Sequence, residues 1–164
     1  MTDDPSHDRI LAQAQTVLIR EAVLLDGQDY DGWLTMWDQH GLYIVPTEFE
    51  PVDDYARVLN FIYDDQDMRQ RRVQRLVSGA SLAMSPPTRT VRTISLVRLT
   101  HLGVHTATVA SSLLLCANRL GNQRLFACQV EHQINFAGEA PLLLRKVVRL
   151  IDADTAQPDL SFLL

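Results

Sequence analysis

Residues 104–136 read VHTATVASSLLLCANRLGNQRLFACQVEHQINF, and the fold is decided here. Arg124, Phe126, Cys128 and Val130 alternate with Leu125, Ala127, Gln129 and Glu131, the period of two that belongs to a β-strand. Gly121–Asn122 is turn chemistry, so the stretch predicts two strands, Val104–Arg119 and Arg124–Phe136, folded back on one another. Similar β-rich text lies on either side, at Thr90–Leu99 and Leu142–Ile151, set off by His101-Leu-Gly103 and by Ala137-Gly-Glu-Ala-Pro141. Four such strands in succession make an antiparallel meander.

The text before the meander is helical. From Asp8 to Leu25 the apolar positions Ile10, Leu11, Ala14, Val17, Leu18 and Leu25 fall on one side of a 3.6-residue helix, which Asp26-Gly27 ends. A short second helix near Tyr30 to Trp37 turns Trp33, Leu34 and Trp37 inward, and Leu42–Val45 is a strand stopped by Pro46. Thr47 to Asn60 has no clear period and reads as a loop. Asp64, Asp65 and Asp67 open a third helix that closes on Arg71, Arg72 and Arg75 before Ser78-Gly79, a charge order that complements the helix dipole. Ser85-Pro-Pro-Thr88 then breaks the chain. Helices followed by strands predict an α+β fold, with the N-terminal helices laid across the concave face of a curved, mainly antiparallel sheet. That arrangement is a cone with a cavity, formed by one domain over residues 1–164, residues 1–8 being a flexible tail.

Composition narrows the function. The chain has 164 residues, of which 46% are hydrophobic, and a net charge of −5. That length supports one sizeable core, and the acidic balance argues against nucleic acid, which needs a cationic face. The longest apolar run, Leu113–Ala117, falls far short of a bilayer span, and Met1-Thr-Asp-Asp opens the chain without a signal-peptide core; the expected location is cytoplasmic. Among the 15 basic residues Lys146 is the one lysine, the rest being arginines suited to planar, bidentate ion pairs.

Metal chemistry lacks its ligands at the level of sequence. The cysteines, Cys116 and Cys128, form no C-x2-C or C-x-H motif and read as reduced core residues. A three-residue hairpin loop would set Cys116 opposite residue 128, a two-residue loop opposite residue 127. His7 lies in the tail, His40 in a turn, and His101 and His105 are separated by Gly103. His132 lies on a strand with Val130 and Ile134 as same-face neighbours, and the histidines read as lone core or surface residues rather than ligands. No phosphate loop or nucleophile elbow is present.

Two charges interrupt apolar helix faces. Glu21 falls between Val17, Leu18 and Leu25, and Arg69 among Val73, Leu76 and Ala80, with Arg72 at the stripe's edge. A buried unpaired carboxylate is costly. One reading makes Glu21 a general base inside the cone. The favoured reading pairs Glu21 with Arg69 or Arg72 in a structural ion pair that docks the helices, since arginine is at hand.

The ordered set Glu21-Ala-Val-Leu-Leu-Asp26, Trp33-Leu34, Tyr43-Ile-Val-Pro46, Tyr63-Asp-Asp65, Arg72-Val-Gln-Arg-Leu76 with Gly79, and Pro86-Pro-Thr-Arg-Thr90 resembles the small (beta) subunit of bacterial aromatic-ring-hydroxylating dioxygenases. Arg145-Lys-Val-Val-Arg-Leu150 through Asp159-Leu-Ser161 resembles that family's closing strand and tail. The likeness runs in order from Val17 to Leu164. Arg92 and Leu96 depart from it, standing where the family commonly has histidine and asparagine.

The resemblance implies a nuclear transport factor 2-like (cystatin-like) cone. It further implies a non-catalytic structural subunit of a terminal oxygenase that holds no cofactor itself. The partner large subunit would carry a Rieske [2Fe-2S] cluster and mononuclear Fe(II), in a hexamer of three large and three small subunits, with the small subunits self-associating as a trimer. NADH would supply electrons through a reductase, often with a ferredoxin, for cis-dihydroxylation of an arene. Arg71, Arg75, Pro86, Pro87 and Arg89, in the helix and the Ser85–Arg89 loop, are candidates for the large-subunit interface. Two alternatives share the fold: a stand-alone isomerase or dehydratase with Glu21 as base, and a small-molecule-binding cone.

Overall fold

The computed structural model describes residues 5–78, 86–155 and 162–164. Helix α1 spans Pro5–Asp26, α2 Tyr30–Leu34 and α3 Gln66–Val77; the strands are β1 Trp37–Pro46, β2 Asn60–Asp64, β3 Arg89–Leu102, β4 Thr106–Arg119, β5 Asn122–Asn135 and β6 Leu142–Leu150. The six strands form one sheet in the order β2-β1-β6-β5-β4-β3. β3 to β6 are the antiparallel meander, and β1 joins it by pairing parallel with β6, Ile44 against Val147.

One face of the sheet is buried under α1. Ala14, Val17, Leu18 and Leu25 descend from the helix onto Val109, Leu113, Leu115, Val130 and Val148, all in one core with Phe162, Leu163 and Leu164. Spacings of three and four residues put those helix positions on one stripe, and burying each large aliphatic side chain contributes roughly 1.5–3 kcal/mol. Asp29 caps α2 by accepting from Gly32 N at 2.9 Å, and Asp65 caps α3 by accepting from Met68 N at 2.9 Å.

Several boundaries differ from the sequence reading. α1 begins at Pro5, so residues 5–8 are helical rather than tail, while residues 1–4 lie outside the described residues. α2 ends at Leu34 and Trp37 already belongs to β1, because Leu143 N donates to Met36 O at 2.8 Å and ties the chain to β6 there. Trp33, Trp37 and Tyr43 still gather, the Trp33 ring lying edge-on to the other two at 5.4 and 5.8 Å. β2 has no counterpart in the sequence reading: in Asn-Phe-Ile-Tyr-Asp the inward Ile62 and outward Phe61 and Tyr63 are all apolar or aromatic, which hides the alternation.

The hairpin between β4 and β5 turns on Leu120 and Gly121, at φ 53° and 81°, with Arg119 opposite Asn122. Two positive φ values match the right-handed twist of the strands. The loop thus sits one residue earlier than Gly121–Asn122, and Cys116 faces Leu125 rather than residue 127 or 128. Cys128 faces Leu113 on the buried side, so the two thiols lie on opposite faces. Among the described residues no helix is long and apolar enough to cross a membrane. The segments at Gly79–Ser85 and Asp159–Ser161 lie outside the described residues.

Candidate functional site

Glu21 hangs from the middle of the buried stripe of α1, 3% exposed, and three side chains converge on it. Trp33 Nε1 donates to Oε1 at 2.9 Å, Lys146 Nζ donates to the same oxygen at 3.0 Å, and His132 Nε2 lies 2.9 Å from Oε2. Lys146 also donates to Leu164 O at 2.7 Å, and Leu164 N donates to the Tyr43 hydroxyl at 3.0 Å. Helix α1, helix α2, strands β1, β5 and β6 and the residues at 162–164 therefore meet on one carboxylate.

Glu21 is buried and paired, but not with Arg69 or Arg72. Arg69 donates to the carbonyls of Gly41, Asp64 and Asp38, and its guanidinium stacks 4.4 Å over the Trp37 ring. Arg72 makes a bidentate pair with Asp64, Nε to Oδ2 at 2.5 Å and Nη2 to Oδ1 at 3.0 Å. α3 docks against β1 and β2, not against Glu21, so its arginines serve that contact instead. At Gly41 itself a Cβ would sit 2.8 Å from Leu143 O, so the close approach of β1 to β6 there needs glycine. Ala80, the third member of Arg69's expected stripe, lies outside the described residues.

Electrostatics keep Glu21 ionised. Burial alone would raise the Glu21 pKa, but the Lys146 ammonium, His132 and the Trp33 indole outweigh it and hold the carboxyl well below its usual range. Burial pulls Lys146 below the ordinary lysine value, with Glu21 opposing. The Tyr43 hydroxyl is pushed up by burial and stays protonated. A second buried pair lies alongside: Arg92 binds Asp26 and the Leu163 carbonyl, while Thr90 Oγ1 donates to Asp26 at 2.8 Å. Arg92 thus fastens the end of α1 to β3 and to residue 163.

This arrangement suits scaffolding better than proton transfer. Both carboxylate oxygens of Glu21 are engaged, and a carboxyl that releases its proton so readily is a weak base. The adjoining cavity, between Glu21, Arg92, Ser111, His132 and Lys146, measures about 20 Å³. That is room for one water molecule, whereas ligand sites typically need about 300 Å³ or more. A wider hollow of about 400 Å³ near Arg9, Gln13, Val104 and Phe136 has no buried residue in its lining. Neither space favours the isomerase, dehydratase or ligand-binding alternatives.

Nor do the side chains gather as metal donors. Among the described residues no three His, Cys, Asp or Glu side chains converge on a point that could hold an ion. The Cys128 thiol is pushed up to about 12 by burial, which disfavours the thiolate a cluster needs, and His132 Nε2 is committed to Glu21. A Rieske cluster does not fit this donor set.

Arg71 and Arg75 are exposed on α3, and Pro86, Pro87 and Arg89 are exposed on the approach to β3. Ser85 lies outside the described residues. The sequence reading missed the partners of Glu21. A signal existed in the one lysine, Lys146, set inside the apolar strand Leu142–Leu150, and in the core position of His132, but nothing local links residues 125 positions apart.

A curved sheet wrapped around an N-terminal helix, with polar groups holding the two together, is the nuclear transport factor 2-like, cystatin-like cone fold. Residues 20–156 match the family described as the ring hydroxylating beta subunit, and the chain belongs to that family. It is the small subunit class of aromatic-ring-hydroxylating terminal oxygenases. Among its relatives, the N,N-dimethyl phenylurea N-demethylase subunit beta of Sphingobium sp. (strain YBL2) is 28% identical over 159 residues, 92% of this chain and 89% of that one. The small oxygenase component of the p-cumate 2,3-dioxygenase system of Pseudomonas putida is 27% identical over 124 residues, 75% of this chain and 69% of that one. The crystal structure of the beta subunit of benzoate 1,2-dioxygenase from Burkholderia mallei superposes with a TM-score of 0.76 at 25% identity, over 93% of this chain and 96% of that one. As a small oxygenase component, the chain pairs with a large alpha subunit.

Proposed function

We propose that this chain is the non-catalytic structural subunit of a multicomponent Rieske non-haem iron oxygenase that supports cis-dihydroxylation of an aromatic compound in catabolism. The match to the beta-subunit family across residues 20–156 carries the reading. In it, the large subunit holds the Rieske [2Fe-2S] cluster and mononuclear Fe(II), and three large subunits assemble with three small ones. NADH is the remote electron source, through a reductase and in some systems a ferredoxin. The protein is a single cone-shaped domain working in the cytoplasm.

Arg71 and Arg75, one helical turn apart, and the rigid approach Pro86-Pro87 to Arg89 form part of the contact with the large subunit in this account. Proline limits the chain's freedom before docking and so lowers the ordering cost. Glu21 holds α1 on the sheet, so that the surface offered to the partner keeps its shape.

Co-expression with the large subunit, followed by affinity capture on a tag carried by this chain, tests the proposal. The expected result is stoichiometric capture of an iron-bearing large subunit, weakened about tenfold or more in the Arg71→Ala/Arg75→Ala variant. Failure of the wild-type chain to capture it would remove the proposal; undiminished capture by the variant would move the contact elsewhere.

A further inference from the structure

The two buried ion pairs of the cone leave some of their own polar atoms unused. His132 Nδ1 and Arg92 Nε are buried, and neither has a hydrogen-bond partner among the described residues. Ser111, 2% exposed on β4, makes no side-chain hydrogen bond among them either. All three residues line the cavity of about 20 Å³ beneath α1, between the Glu21–Lys146 pair and the Asp26–Arg92 pair. Buried donors and acceptors are almost always satisfied, because an unmet one forfeits its bond to water and gains nothing in return.

The neighbours fix what each group offers. The Glu21 carboxylate can only accept, so His132 Nε2, 2.9 Å from Oε2, carries the proton. In the neutral ring Nδ1 is then an acceptor in need of a donor. Arg92 spends Nη1 on Asp26 and Thr90 and Nη2 on the Leu163 carbonyl, which leaves its Nε–H as a donor in need of an acceptor. The Ser111 hydroxyl supplies either role. The group that serves all three must both donate and accept. Charge also selects it: Lys146 is matched by Glu21 and Arg92 by Asp26, so the site calls for a neutral ligand rather than an ion.

We propose that this cavity is a binding site for one water molecule, which accepts from Arg92 Nε, donates to His132 Nδ1 and shares a hydrogen bond with Ser111 Oγ. A buried water typically makes about three such bonds and needs roughly 10–15 Å³ of room, so partners and volume both fit. The water joins the two ion pairs into one network that runs from α1 through β3, β4 and β5. It also makes His132 a positioning residue: a donor at Nδ1 holds the ring in the Nε2–H tautomer that Glu21 requires.

Nitrogen NMR of the purified full chain labelled at histidine reads the tautomer directly, and a high-resolution crystal structure reads the ligand. The expected result is a single His132 species with Nε2 protonated and Nδ1 shifted as a hydrogen-bonded acceptor. One water is expected in density within about 2.7–3.2 Å of Arg92 Nε, His132 Nδ1 and Ser111 Oγ. In Ser111→Val the added methyl groups take up the water's room; its density should be lost and the Nδ1 resonance should move towards that of an unbonded nitrogen. Circular dichroism checks that the variant is folded, and if it is not, the wild-type density and resonance decide alone. A bromide peak in the cavity of soaked crystals would assign it to an anion and overturn the proposal. So would a wild-type cavity without density, a ring protonated at Nδ1 alone, or an Nδ1 resonance unmoved in a folded Ser111→Val.

Discussion

Glu21→Gln perturbs the buried network at its centre. The change keeps the shape but removes the charge that neutralises Lys146, which is 3% exposed and pairs with no other carboxylate among the described residues. It also sets an amide nitrogen or a neutral oxygen against His132 Nε2. Breaking a buried ion pair from one side costs about 3–5 kcal/mol. For a chain of this size each kcal/mol moves Tm by roughly 2–4 °C, so Tm should fall on the order of 10 °C. Adding Lys146→Met removes the stranded ammonium and should recover most of that loss. The pH dependence has a definite sign. The folded-state pKa of Glu21 is depressed, so its contribution is present above the usual carboxylate value near 4.5 and fades as pH falls below it. Wild type should therefore lose its advantage over Glu21→Gln on acidification. Calorimetry or denaturant titration of the chain reads stability, and turnover of the reconstituted oxygenase reads function. A Glu21→Gln variant of unchanged stability whose complex has lost all turnover would refute the scaffold account and make Glu21 a base.

Three further outcomes are expected. Arg72→Met leaves the Asp64 carboxylate, 1% exposed, without its bidentate partner and should cost about 2–4 kcal/mol in denaturant unfolding, with Arg72→Lys recovering only part because lysine cannot span both oxygens. Leu96 is exposed at φ 52°, a left-handed conformation that asparagine tolerates better, so Leu96→Asn should raise stability by about 0.5–1 kcal/mol; a lower Tm would contradict this. Cys128, buried and with its thiol pushed up to about 12, should resist alkylation at neutral pH until the chain unfolds, as mass spectrometry after iodoacetamide treatment would show.

The parts legible from the sequence were those with local causes. The stripe Ala14, Val17, Leu18 and Leu25 and the alternation through Phe126, Cys128 and Val130 depend on neighbours a few residues away, and both surfaces are buried against each other in the cone. β2 was hidden because Phe61, Ile62 and Tyr63 give no polar contrast between its faces. The hairpin slipped by one position because Leu120 takes a positive φ that its side chain does not advertise. Glu21 was visible as an anomaly on an apolar face, yet its partners come from 12, 111 and 125 residues away and only the closed sheet brings them together. Arg69 and Arg72 looked available, but β1 and β2 supply the carbonyls and the Asp64 carboxylate that claim them.

On the proposed function, catalysis belongs to a companion polypeptide, which this chain shapes and supports. Iron content and arene turnover, measured side by side on the purified chain and on the chain co-expressed with the large subunit, test that most directly. Iron and cis-dihydrodiol formation are predicted in the co-expressed complex alone. Product from the purified chain with no second polypeptide present would contradict it.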